Sequence, residues 1–127
     1  MKLFLLLPLF LYTMPLMGQI VTIPDAIFKA ALISNPSINT NNDQEIQVAE
    51  AMAYTGTISV ANQGITNLVG IEAFLNLTVL DCSNNSLPSL DVSANVALTS
   101  LSCNVCQLPN LDVSANTNLL ALSCYSN

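Results

Sequence analysis

The chain has 127 residues, enough for one small domain, and carries two bases against eight acids with no histidine, a net charge of −6. Nucleic acid and anionic membrane surfaces are disfavoured as partners, because affinity there comes from Lys and Arg neutralising phosphates. Without histidine there is no Ser-His-Asp or Cys-His pair, and the four glycines form no phosphate-cradling loop.

Residues 1–18 hold Lys2, an apolar run from Leu3 to Leu11, then Tyr12-Thr13-Met14-Pro15 and Gly18. This is the pattern of a secretory signal peptide, with cleavage expected before Gln19 and a secreted or cell-surface destination. No cysteine follows Gly18 to anchor a lipid, and no other apolar run is long enough to span a bilayer. One base, Lys29, then stands against eight acids.

Residues 19–54 are expected to form a helical N-terminal cap. A first helix is predicted over 22–33, with Thr22 as cap, Pro24 in the first turn and Ile27, Phe28, Ala31 and Leu32 on one face. Ser34-Asn35-Pro36 ends it. A second is predicted over 46–54, with Ile46, Ala49 and Met52 on one side. Both are too short to stand alone, so both should pack on the segment that begins at residue 55.

Between them, residues 39–50 can be counted against a twelve-residue calcium loop. Asn39, Asn41 and Asp43 fall at ligand positions one, three and five, Glu45 offers its carbonyl at seven, and Glu50 is the bidentate acid at twelve. Asn39 lacks the usual charge, and Gln44 stands where the turn wants glycine. The competing reading is a polar turn with Glu50 facing solvent. If calcium binds, it fixes the cap and serves no catalysis.

From residue 55 the chain repeats. Leu77-Thr-Val-Leu80-Asp-Cys82-Ser-Asn-Asn85-Ser-Leu87 returns 21 residues later as Leu98-Thr-Ser-Leu101-Ser-Cys103-Asn-Val-Cys106-Gln-Leu108, and again from Leu119 through Leu122 and Cys124. Leu90-Asp-Val-Ser-Ala-Asn95 becomes Leu111-Asp-Val-Ser-Ala-Asn116. Such a period means a solenoid. The coils are 55–76 (one residue longer and divergent), 77–97, 98–118 and a partial 119–127. The second half of the first coil looks helical or 3₁₀-like.

The unit Leu-x-x-Leu-x-Cys-x-x-Asn-x-Leu resembles the leucine-rich repeat, with Cys at one leucine position. Leu80 and Cys82 should point inward from a short strand, and Asn85 should bond unpaired backbone groups at the bend, stacking into a ladder. Cys82, Cys103 and Cys124 should form a column of buried free thiols, since side chains on adjacent parallel strands are poorly aimed for disulfides. Cys106 takes the Asn85 position; a Cys103-x-x-Cys106 redox or zinc pair is the sharper alternative. Each coil repeats within itself, Leu77 to Asn85 paralleling Leu87 to Asn95, which suggests strand-like segments on both sides. The resemblance is to 21-residue bacterial leucine-rich repeats of nested period, found in exported Bacteroidetes-type proteins. It implies a secreted or surface module that binds a protein or glycan through its strand face, with no enzymatic activity.

The residues expected on that face are Val79, Asp81 and Ser83, then Ser100, Ser102 and Asn104, then Ala121, Ser123 and Tyr125. Asp91 and Asp112 could pair as glycosidase carboxylates, but more simply project outward from successive coils. The alternative function is a structural spacer or the capped start of a larger surface protein. The sequence stops at Asn127 within a repeat, so a longer natural chain is expected, or else edge-to-edge self-association.

Overall fold

The computed structural model describes residues 18–127; the expected signal peptide therefore lies, apart from Gly18, outside the described residues. In chain order the elements are α1 (Ala26–Ile33), α2 (Val48–Ala53), β1 (Thr57–Ser59), a 3₁₀ turn (Ile71–Ala73), β2 (Val79–Asp81), β3 (Ser100–Ser102) and β4 (Ala121–Ser123). The strands form one parallel sheet in the order β1-β2-β3-β4. Thr57 pairs with Val79, Val79 with Ser100 and Ser100 with Ala121, so the register advances by the sequence period.

Alternation explains each strand. Ile58, Leu80 and Leu101 are buried while their neighbours face outward. Leucines from the return segments, Leu77, Leu87 and Leu98, meet them inside. The strands last only three residues because a left-handed residue follows at one repeat position: Asn62 (φ 59), Asn84 (φ 55), Val105 (φ 54) and Ser126 (φ 57). Asparagine tolerates that conformation, whereas β-branched Val105 is strained by it.

The expected ladder is present. The Asn85 Oδ1 accepts the N–H groups of Gln63 (3.2 Å) and Ile65 (2.9 Å), and its Nδ2 donates to the carbonyls of Val60 and Cys82 (both 2.9 Å). Asn127 repeats this against Cys106 N–H, Leu108 N–H and the Cys103 and Cys124 carbonyls. A second row runs along the other side of the coils. Asn95 donates to Ile71 and Phe74 carbonyls, and Asn116 donates to those of Val92 and Asn95. The nested half-period thus produces a second asparagine row and no second sheet. Residues 87–97 and 108–118 turn instead of extending, with Asn95 N–H on Val92 O and Leu98 N–H on Asn95 O. The expectation of strands on both sides is corrected accordingly.

The cap differs from expectation at both helix starts. Helix α1 begins at Ala26 because Asp25, not Thr22, caps it, its Oδ1 accepting from Ile27 and Phe28 N–H (3.0 and 2.9 Å). Thr22 and Pro24 lie in an extended segment before it, where Ile20 bridges antiparallel to Gln47 and Val21 N–H donates to the Ile46 carbonyl. That same pairing keeps Ile46 out of α2, which starts at Val48. The Asp25 Oδ2 reaches across to the first coil, accepting from Thr66 N–H (2.9 Å) and Oγ1 (3.3 Å). One carboxylate therefore caps a helix and ties it to the solenoid.

Candidate partner-binding face

The outward positions of β1 to β4 form one continuous surface. Val79, Asp81, Ser100 and Ser102 are partly exposed on it, as is Ser123, and Ala121 is exposed. Two of the expected residues are not on it. Ser83 (6 % exposed) and Asn104 (8 %) are buried, because each lies beyond the end of its three-residue strand and turns into the space between coils. Tyr125 is 65 % exposed on the coil that has a neighbour on one side only.

The inward-turned pair knits the coils together. The Ser83 and Ser102 hydroxyls are 2.8 Å apart, Asn104 Nδ2 donates to Ser102 Oγ (3.1 Å), and Asn104 Oδ1 accepts from Ser123 Oγ (2.7 Å) and Tyr125 N–H (3.1 Å). One rim of the face is therefore a hydrogen-bonded rail, and its outer rows carry the more exposed positions. On those rows Asp81 is the single charge; its Oδ1 accepts Ser83 N–H at 3.0 Å.

Behind the face, all four cysteines are free thiols. Cys82, Cys103 and Cys106 are buried, whereas Cys124 is exposed on the last coil, as is Leu122 (44 %), contrary to the buried column expected there. Burial first, and then the neighbouring Cys106 and Cys124 thiols, push Cys103 up to about 11. Burial, then Cys106 and Cys103, push Cys82 up further. Both stay protonated and inert at neutral pH. Cys106 Sγ donates to the Cys82 and Asn104 carbonyls (3.2 and 3.4 Å), so its thiol is engaged in closing the turn.

In the 39–50 loop the oxygens are turned onto the loop's own donors. Glu50 is buried, not solvent-facing: Oε1 accepts from Thr40 N–H, Thr40 Oγ1 and Asn41 N–H, and Oε2 from Gln47 N–H. Asp43 takes Glu45 N–H and the side-chain amides of Asn41 and Gln47. Glu45 forms an ion pair with Lys29 at 2.6 Å. Asn39 donates to the Ile33 and Asp43 carbonyls, while its buried Oδ1 has no partner among the described residues. Asp91 and Asp112 are exposed, each accepting the N–H two residues on, from Ser93 and Ser114.

Solved structures place this architecture. The chain matches the functional domain of InlJ from Listeria monocytogenes, which includes a cysteine ladder, at 32 % identity and TM-score 0.70, over 84 % of this chain and 23 % of that one. The fold is a leucine-rich repeat solenoid. An internalin, InlF, from the same organism matches at 21 % identity and TM-score 0.69, over 83 % of this chain and 32 % of that one. Internalin C2 of the same organism matches at 18 % and TM-score 0.51, over 82 % and 57 %. The chain thus spans about a quarter of the solved InlJ functional domain and about a third of the solved InlF chain. No protein-family model and no curated protein matches it. Among the described residues, no helix is long and apolar enough to cross a membrane.

Proposed function

We propose that this chain is a secreted or cell-surface leucine-rich repeat module that binds a protein partner across the outer rows of β1 to β4. The observation that carries the reading is the face itself. Parallel strands β2 and β3 hold Val79, Asp81, Ser100 and Ser102 in fixed register, and Ser102 is joined at the rim to Ser83 and Asn104 by hydrogen bonds. A rigid, preorganised surface loses little entropy on binding. The likeness to internalins, which are longer, supports a surface setting. The reading assigns the chain no catalysis. A photo-crosslinking residue at Ser100 should capture a protein that the same residue at Thr117, exposed on a return segment, does not. Equal capture from both positions would contradict it.

The rail favours a second reading, a structural spacer, because Ser83, Ser102, Asn104 and Ser123 spend their polar groups on one another. For the cap, the order of oxygen side chains supports a calcium-stabilised turn, favoured by the unpartnered Oδ1 of Asn39 at the first ligand position. Calcium should then raise the melting temperature of the wild type and not of Glu50→Gln. An unchanged melt in calcium and in chelator would remove that reading.

A further inference from the structure

We propose that the cap carries a second binding site, separate from the strand face: a pocket for a neutral saccharide. It is an open cavity of about 660 Å³ lined by the 35–41 loop, α2 and the turn at Tyr54-Thr55-Gly56. Small-ligand sites fall in the range of about 300–1,000 Å³. The ring of Tyr54 is a fixed wall. Its hydroxyl donates to the Thr57 carbonyl at 2.7 Å, and Phe74 meets it edge-on at 6.4 Å and 88°. Gly56 leaves the room it needs, since a Cβ there would lie 2.6 Å from the Tyr54 hydroxyl.

The remaining lining selects the ligand. No Lys or Arg lines the cavity, so an anion would find no counter-charge. Glu50 does line it, but both its oxygens already accept hydrogen bonds, four in all, from Thr40, Asn41 and Gln47, and none is left unpartnered toward the cavity. The lining side-chain groups without a hydrogen-bond partner among the described residues are neutral: Asn35 Nδ2 and the hydroxyls of Ser37 and Thr55. An immobilised aromatic ring, small apolar contacts at Ala49 and Ala53, and uncharged donors and acceptors match a ligand with a C–H face and a hydroxyl edge. That is the chemistry of a sugar ring.

The test is amide chemical-shift mapping of the full chain with glucose, galactose, N-acetylglucosamine and their β-linked trisaccharides. Each is added at about 10 mM, roughly ten times a millimolar Kd. At least one probe should shift amides within residues 35–56 and leave those of β2 and β3 in place. Tyr54→Ala should weaken that probe about tenfold. Should Tyr54→Ala fail to fold, Ser37→Trp and Ala53→Trp decide, since both positions are exposed and a tryptophan there fills the cavity. Each should abolish the shifts. No shift from any probe, shifts centred elsewhere, or shifts that survive both tryptophans would overturn the proposal.

Discussion

Asn85 and Cys106 occupy the same place in successive coils, and different chemistry closes the turn at each. The Asn85 amide both accepts and donates, holding two N–H groups of the coil before it and a carbonyl on each of two coils. A thiol donates weakly and accepts weakly, and Cys106 reaches only carbonyls. The backbone supplies what is missing: the Cys106 carbonyl takes the Leu87 N–H at 2.9 Å. Aiming it there sets left-handed residues on both flanks, Val105 (φ 54) and Gln107 (φ 64), where Asn85 has only Asn84. The first coil, with Gln63 at this place, shows the same two-sided form, Asn62 (φ 59) and Gly64 (φ 74). A repeat can therefore lose its ladder asparagine and keep its shape, at the cost of backbone strain.

The largest effect should come from removing the amide where the backbone has not compensated. Asn85→Leu strands buried N–H groups of the first coil and carbonyls beside them, and should cost about 3 kcal/mol or more. A denaturant melt reads it; a loss comparable to that of an exposed-site change would mean the ladder is ornamental. The cap latch sets a scale outside the ladder. Asp25→Ala removes a helix cap and the Thr66 tie together and should cost about 2 kcal/mol, with faster amide exchange confined to the cap. Burial tends to raise the Asp25 pKa, but the N–H groups of Phe28, Thr66 and Ile27 and the Thr66 hydroxyl outweigh it and hold the carboxyl below its ordinary value. That stability is present above the unfolded carboxylate pKa and is lost as pH falls through the lowered one.

Relieving strain should work in the other direction. Val105→Asn places a residue suited to the left-handed region at an exposed position, and should stabilise by about 1 kcal/mol. A loss there would show that the valine side chain contributes packing that outweighs its backbone. The thiols should add a pH dependence of their own. Their raised pKa values mean the folded chain retains protons that the unfolded chain gives up. Their contribution is whole below the ordinary thiol pKa, about 8.5, and fades as pH rises toward 11. Melts at pH 8 and pH 10 should differ less in Cys82→Val/Cys103→Val than in the wild type.

The coils were legible because their period is written in identical residues: the strand register follows the 22- and 21-residue offsets directly. The first coil's 3₁₀ turn at Ile71–Ala73 was legible from its denser apolar spacing. The cap was less so, since Asp25 and not Thr22 starts α1 while also reaching Thr66, and the start of α2 depends on the pairing of Val21 with Ile46, contacts that no local pattern announces. Ser83 and Asn104 were misplaced on the outer face because alternation alone does not say where a strand ends. The left-handed Asn84 and Val105 end it early. The cavity beside Tyr54 had no sequence signal, being assembled from three separate stretches.

The most direct measurement is a reciprocal exchange at the ladder, with stability followed by equilibrium unfolding of Asn85→Cys and Cys106→Asn. If an amide there does what strained backbone otherwise must, Asn85→Cys loses stability and Cys106→Asn gains it, with Gln107 leaving the left-handed region. Loss in both directions would contradict the account, since it would mean each coil is built around its own residue and the two turns are not alternative solutions to one problem.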